Sequence, residues 1–461
     1  MFKTAIYQAR RAVLKSKFKT GVALFLGNEE VGMNYRDNVY HFRQDSTFLY
    51  YFGIDKPSLA ALIDFETGEE IIFGHEDTID DVIWNGPQPS LATLASKVGV
   101  AKTQANERLW AILSQSMEAA KTIRFLPPYR HANEIKISQL LGYEPSEIKK
   151  LVSIELIQSI VEQRSIKSSE EITDMEMAVN MSKSMHLAAM KHTRPNRFEY
   201  QVVGEIHAAA IIEGGQLSYP IIYSVNGQTL HNHSHQNLMQ SGQLALCDFG
   251  AETPLHYAGD ITRTLPVSGK FTAKQAAIYN LVLEMYTEAM AMIKPGELYL
   301  NIHLAAAKVM LEGLKNLGFL AGNIETMLSE GVQGLFMPHG LGHMIGLDVH
   351  DMEDLGEIYV GYRPGLERST QLGLRSLRLA KELAVGNTLT VEPGIYFIPE
   401  LIKKYKAEKR FEAFVNYDLL ATYYDFGGVR IEDNVLVTET GSRILGEAIP
   451  KTIDEIEAAM A

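Results

Sequence analysis

The sequence predicts a two-domain α/β (α+β) protein, and three observations carry that expectation. The chain has 461 residues, more than one ordinary domain needs and enough for two with cores of their own. Up to about residue 165, short apolar runs alternate with helical spacing, and a helix-start signal follows at Ser168 and Ser169 with Glu170 and Glu171 behind them. Beyond Gly215 strand patterns take over, and several carry a carboxylate among apolar neighbours. The expected domains are therefore residues 1–165 and 166–461. A hydrophobic content of 46% against 21% charged residues fits two packed domains and not a disordered chain.

In the first domain, Val22-Ala23-Leu24-Phe25-Leu26, Ala60-Ala61-Leu62-Ile63-Asp64 and Ile71-Ile72-Phe73 read as strands, the last two joined by a turn at Thr67-Gly68. Residues 91–98 and 106–120 have helical spacing. The aromatic segment from Phe48 to Phe52 is expected in the core. No glycine-rich phosphate loop is present, and His41, His75 and His131 are expected as surface or structural residues and not as ligands. In the second domain, helices are expected to about Lys191, over 198–214, over 273–292 and over 300–317, with Pro295-Gly296 breaking the last pair. His186, His192 and His207 are expected as helix residues and not as ligands. Strands are expected over 221–225, 243–250, 257–265, 388–397 and 428–437. No tandem repeat is evident.

The charge balance limits the partners. A net charge of −13 and a pI near 5.6 disfavour nucleic acid and anionic membrane. No apolar run reaches the roughly 18 residues of a membrane span. The first residues lack a secretory h-region, and the single cysteine, Cys247, expected in a buried strand, suits a reducing compartment, so a cytoplasmic location is expected.

The stretch from Pro338 to Asp351 carries His339, His343 and His350 among Gly340, Gly342 and Gly346, poor material for a regular helix or strand. Side chains there are aimed more than packed. Four carboxylates stand in apolar strand contexts: Asp248, Asp260, Glu392 and Glu432. Burying any of them alone as an ion is costly. Asp248 and Asp260 are 12 positions apart, so a regular hairpin points both to one face. Four carboxylates and His343 make an oxygen-rich set whose charge two divalent cations balance, with room for a bridging hydroxide between metals roughly 3.5–4 Å apart. Oxygen ligation favours Mn2+, with Co2+ or Zn2+ as substitutes.

The motifs Cys247-Asp248-Phe249-Gly250, Tyr257-Ala258-Gly259-Asp260-Ile261-Thr262-Arg263-Thr264, Pro338-His339-Gly340-Leu341-Gly342-His343, Val391-Glu392-Pro393-Gly394 and Val429-Arg430-Ile431-Glu432-Asp433 resemble the pita-bread metallopeptidases, specifically their aminopeptidase P and prolidase branch. The likeness is close over about 166–455 and looser over the first domain. It implies a pita-bread catalytic domain behind a creatinase/prolidase-like N-terminal domain. It also implies metal ligation by Asp248, Asp260, His343, Glu392 and Glu432, with Asp260 and Glu432 bridging. Glu392 would pass a proton to the leaving imino nitrogen, while His339 and His350 would hold substrate and stabilise the oxyanion. His231 matches a further active-site histidine, and Arg430 an arginine that orients a carboxylate, with Tyr219 as its expected partner. The reaction implied is hydrolysis of the bond between an N-terminal residue and a following proline by a metal-bound hydroxide, on proline-containing peptides or dipeptides. A homodimer or homotetramer is the family habit.

Two activities share this pattern: aminopeptidase P, which accepts longer peptides, and prolidase, which takes Xaa-Pro dipeptides. Gly373-Leu374-Arg375-Ser376-Leu377-Arg378 and Tyr396-Phe397-Ile398 look more like prolidase, with Arg378 matching an arginine that grips a dipeptide carboxylate. Residues 398–427 form an insertion that reads either as a lid or as packing. A non-catalytic pita-bread binding protein is the alternative of another class, and the intact ligand set argues against it. It argues equally against a creatinase-like activity.

Overall fold

The computed structural model describes residues 1–461, which divide into two units: Met1–Arg164 with Asp354–Gly356, and Ser165–Glu353 with Glu357–Ala461.

In the first unit, β-branched and aromatic runs form five strands: β1 Val22–Leu26, β2 Ala60–Asp64, β3 Glu70–Gly74, β4 Lys102–Ala105 and β5 Ile123–Arg124. Their order in the sheet is β4-β3-β2-β1-β5, with β1–β2 and β2–β3 antiparallel and β3–β4 and β1–β5 parallel. The turn between β2 and β3 is closed by Asp64, whose carboxylate accepts from the backbone N–H groups of Glu66 and Thr67. Val22, Leu24, Leu62 and Phe73 fill one core with Leu109, Leu113 and Ile137 from helices. The aromatic segment is the helix Ser46–Phe52, capped by the Asp45 carboxylate and ended by Gly53 at φ 59°. All seven of its residues are buried, as expected of a core element. His41, His75 and His131 are exposed.

The second unit adds β6 Gln216–Leu217, β7 Ile222–Ser224, β8 Leu244–Phe249, β9 Ala251–Glu252, β10 Ile261–Pro266, β11 Thr388–Val391, β12 Gly394–Tyr396, β13 Gly428–Arg430, β14 Asp433–Val437 and β15 Ser442–Ile444. The sheets are β10-β8-β7, β11-β14-β15, β12-β13 and β6-β9, all antiparallel. Helices cover Ser169–His192, Glu199–Ile212, Ala273–Met292 and Tyr299–Asn316. Capping boxes at Ser168/Glu171 and Thr272/Gln275 start the first helix of each pair. None is long and apolar enough to cross a membrane. His186 is fully buried against Phe249, with Nε2 at the carbonyls of Phe249 and Ile261, and Cys247 is a buried free thiol within β8.

Two expectations need correction. The long strands expected over 388–397 and 428–437 are each interrupted, between Val391 and Gly394 and between Arg430 and Asp433. Pro393 has no N–H to give the ladder, so pairing lapses beside Glu392 and Glu432. The second unit also contains a repeat of which the residue identities keep only a proline in each turn. Thr193-Arg194-Pro195-Asn196 and Ile293-Lys294-Pro295-Gly296 end their helices alike: Thr193 and Ile293 take extended C-cap conformations, and Asn196 and Gly296 have φ 64° and 83°. Phe198 then bridges Leu238, and Leu298 bridges Glu382, each partner standing ten residues before Asp248 or Glu392. Backbone geometry repeats where side-chain identity does not, because Asn and Gly both tolerate positive φ.

The 398–427 insertion is packing. Its helices Pro399–Ala407 and Tyr417–Ala421 bury Ile402, Tyr405 and Leu420, and the backbone of Phe414–Asn416 bonds to that of Phe319–Ala321. Phe397 sits among Phe319, Phe336, Tyr423 and Phe426.

Candidate active site

Antiparallel register decides where the carboxylates point. Asp248 lies opposite Thr262 in the β8–β10 ladder, and Asp260 is two residues before Thr262, so both aspartates share one face. Val391 pairs with Asp433 and Gly394 with Arg430, the same register on both sides of the interruption, which sets Glu392 opposite Glu432. Two like charges facing each other disfavour that arrangement unless something positive lies between them.

The halves are stitched together along β10. Glu432 donates its N–H to the Thr262 carbonyl at 3.0 Å, Arg430 donates its N–H to the Thr264 hydroxyl at 3.1 Å, and Asn434 exchanges hydrogen bonds with the Asp260 backbone. The histidine-rich stretch runs irregularly beside β11: Thr390 N–H donates to the His343 carbonyl at 2.9 Å, and Glu392 N–H to the Leu341 carbonyl at 2.8 Å. Gly342 is required there, since a Cβ would stand 2.0 Å from the Thr390 carbonyl oxygen. His343 donates Nδ1–H to the Met344 carbonyl at 3.0 Å, which leaves Nε2 facing Asp260 Oδ2 at 3.3 Å and Glu392 Oε1 at 3.7 Å. Ligand atoms of Asp260, His343 and Glu432 lie within 4.8 Å of one another, and all three residues are buried.

The carboxylates differ in support. Asp248 bonds Arg430 Nη2 and accepts from the Tyr219 hydroxyl at 2.6 Å, and that hydroxyl also reaches Asp260. Glu432 accepts from the Thr262 hydroxyl at 2.7 Å. Burial, with Asp260, Glu392 and Asp248 nearby, pushes the Glu432 carboxyl well above its usual range, and burial pushes Glu392 up to about 7. Asp260 is held low: burial opposes ionisation, but His343 outweighs it. Arg430 and His343 are paired directly with these carboxylates, and His339 stands 3.8 Å from Glu392. The donors are hard oxygens and one imidazole, convergent and short of positive charge, so they fit divalent cations.

Around this centre, His339 donates Nδ1–H to the Gly340 carbonyl at 2.7 Å and has Nε2 at 2.8 Å from the Tyr396 hydroxyl, which accepts from Arg430 Nη1 at 2.7 Å. Burial, aided by Arg430, lowers His339 to about 3, so the ring is neutral. His350 stacks edge-on with His343, centroids 4.3 Å apart, and binds Glu353 through Nδ1. His231 lies on an exposed loop, and burial of its ring, with Arg430 and Arg378 adding to it, lowers its pKa although Asp248 opposes the shift. Arg378 is partly exposed and sits 3.4 Å from both Glu353 and Glu357.

One expected pairing is wrong. Tyr219 does not serve Arg430; it bridges Asp248 and Asp260, and Arg430's tyrosine is Tyr396. The register explains it, because Tyr396 and Arg430 lie on the paired strands β12 and β13, whereas Tyr219 precedes β7, which pairs directly with β8. Sequence reasoning also missed Thr262, whose hydroxyl accepts from Arg430 Nε at 3.1 Å while donating to Glu432. Its place two residues after Asp260 was the available signal.

Residues 173–439 match the profile of metallopeptidase family M24, which is more than half of the chain, and residues 7–124 match the aminopeptidase P N-terminal domain. The chain belongs to metallopeptidase family M24. Among its M24 relatives, the human Xaa-Pro dipeptidase is 33% identical over 95% of this chain and 88% of its own length. The Xaa-Pro aminopeptidase of Haemophilus influenzae is 30% identical over 98% of this chain and 96% of its own. Among solved structures, proline aminopeptidase P II from Yersinia pestis superposes with a TM-score of 0.82 at 29% identity, covering all of this chain and 99% of that one. The two-domain mixed α/β architecture with a C-terminal pita-bread unit is thereby established for this M24 member.

Proposed function

We propose that this M24 metallopeptidase is a metal-dependent exopeptidase that hydrolyses the bond between an N-terminal residue and a following proline. The supporting observation is the buried cluster of Asp260, His343 and Glu432, with Asp248 and Glu392 beside it and Arg430, His343 and His339 as the basic side chains within 4 Å of these carboxylates. Both dipeptidase and aminopeptidase relatives cover nearly the whole chain and act on Xaa-Pro substrates by name.

Asp248, Asp260, His343, Glu392 and Glu432 would hold two divalent cations, Mn2+ by the hardness of the donors, with Co2+ or Zn2+ able to substitute. When bound, such ions neutralise the carboxylates and activate a water for attack on a tertiary amide. The chain's own residues do the rest. Glu392 has oxygens toward both His343 and His339, at 3.7 and 3.8 Å, and is placed to take and pass on the proton of the attacking water. His339, fixed by Tyr396, and His350, fixed by Glu353, would line the approach to the carbonyl, with His231 close enough to feel the Asp248 charge. Arg430 orients Asp248, and Tyr219 ties Asp248 to Asp260.

The reading that accepts peptides longer than two residues is preferred, because Arg378 already faces two internal carboxylates. A dipeptide-restricted activity is the second reading, favoured by the unbonded Nε of Arg378. Turnover of Ala-Pro beside Ala-Pro-Ala with Mn2+ present tests both. Cleavage of both is expected, cleavage of Ala-Pro alone supports the dipeptidase, and cleavage of neither overturns the assignment. The proposed domain limits are 1–165 and 166–461, with a homodimer or homotetramer and a cytoplasmic setting.

A further inference from the structure

Arg378 differs from a saturated arginine on the same chain. Arg363 Nε reaches both oxygens of Glu382, at 2.9 and 2.6 Å. Arg378 stands 3.4 Å from Glu353 Oε1 through Nη2 and 3.4 Å from Glu357 Oε1 through Nε, and Nε is shut off from solvent without any hydrogen bond. The guanidinium is thus balanced in charge but retains donor capacity. Glu357 is shared with Arg368, which pairs with its other oxygen, so it is only half available to Arg378. Glu353 is shared in the same way, but with a residue of the centre. Its second oxygen binds His350 Nδ1, and the His350 ring lies against His343. A single carboxylate therefore links Arg378 to the centre, and neither it nor Glu357 belongs to the candidate ligand set.

Resting on the Xaa-Pro reading, we infer that Glu353 is a specificity-determining residue: it gives Arg378 the counter-charge that an Xaa-Pro dipeptide would bring as its terminal carboxylate. A half-buried guanidinium left with Glu357 alone, itself shared with Arg368, penalises a substrate lacking that carboxylate. With Glu353 in place, a peptide that continues past the proline leaves Arg378 still balanced, and a dipeptide carboxylate has to share Arg378 with it. Discrimination by chain length is correspondingly small. Glu353 acts on substrate through Arg378 and on His350 by direct bonding, so it is a positioning residue.

Glu353→Gln separates the two roles. The amide oxygen still accepts from His350 Nδ1–H, but one of the two negative charges facing Arg378 is gone and only Glu357 remains. The experiment compares kcat and KM of the metal-loaded enzyme and its E353Q variant on Ala-Pro and on Ala-Pro amide, each variant matched to wild type in metal content and melting temperature. The ratio of kcat/KM for dipeptide over amide is expected to rise about three- to tenfold in E353Q, through KM more than kcat. In an Arg378→Gln background the same substitution is expected to leave the ratio unchanged. An equal change on both peptides, or a ratio shift that persists without Arg378, overturns the role of Glu353. Wild-type enzyme that cleaves neither peptide overturns the Xaa-Pro reading itself, which is a separate result.

Discussion

The two strand pairs that bring carboxylates together are built alike and supported differently. Each follows a pair of helices, and each places its first carboxylate ten residues after a bridge to the head of the second helix. In the first pair, Asp248 has Arg430 and Asp260 has His343, and Tyr219 bonds both. In the second, Glu432 has one hydroxyl, from Thr262, and the nearest cation to Glu392 is 3.7 Å away. The aspartate pair is organised by the protein, while the glutamate pair waits for external charge. Repetition of the backbone thus yields one half that fixes geometry and one that answers to metal.

The strongest way to break this comparison is to remove a shared ligand. Asp260→Ala is expected to lose metal and to lower turnover by more than about a thousandfold, read by metal analysis and initial rates. Retention of two ions per chain would place Asp260 outside the ligand set. Tyr396→Phe is expected to cost about tenfold to a hundredfold in kcat with metal retained, because His339 and Arg430 lose their common hydroxyl. Thr262→Val cuts the one side-chain link between Arg430 and Glu432, and a drop of about tenfold in metal affinity is expected by calorimetry.

The smallest effect sharpens the contrast through pH. The folded pKa of Glu392 is raised from 4.5 to about 7, chiefly by burial, so folding disfavours its ionisation. In metal-stripped protein the penalty is present above about pH 7 and shrinks as pH falls toward 4.5. Glu392→Gln is therefore expected to melt higher than wild type at pH 8, with the gap narrowing below pH 7 and closing toward pH 4.5. Asp260, whose pKa is lowered despite its burial, has the opposite sign: Asp260→Asn is expected to lower the metal-free melting temperature at pH 8.

Much of this centre was legible because chemistry and pattern coincided. Carboxylates in runs such as Leu244–Phe249 are conspicuous where apolar residues are the rule, and the even spacing of Asp248 and Asp260 survives because β8 and β10 pair in a regular ladder. The four helices Ser169–His192, Glu199–Ile212, Ala273–Met292 and Tyr299–Asn316 were read nearly to their ends, while short ones such as Pro399–Ala407, and the first helix Thr4–Lys17, were not read. What escaped notice depends on long-range pairing. Tyr396 and Thr262 are ordinary residues whose partners lie 34 and 170 positions away, and only the folded register selects Tyr396 over Tyr219 for Arg430. The interruption at Glu392-Pro393 was hidden inside an apolar pattern that continues across it. The repeated halves escaped because the two turns share geometry and a single proline but little else of their sequence.

The measurement that tests the central claim most directly is a Mn2+ titration of metal-stripped protein, with bound ions per chain and Ala-Pro turnover followed together. Two ions per chain, with turnover appearing as they bind, is the expected result. Full turnover in the stripped protein, or two bound ions with no turnover, would contradict it.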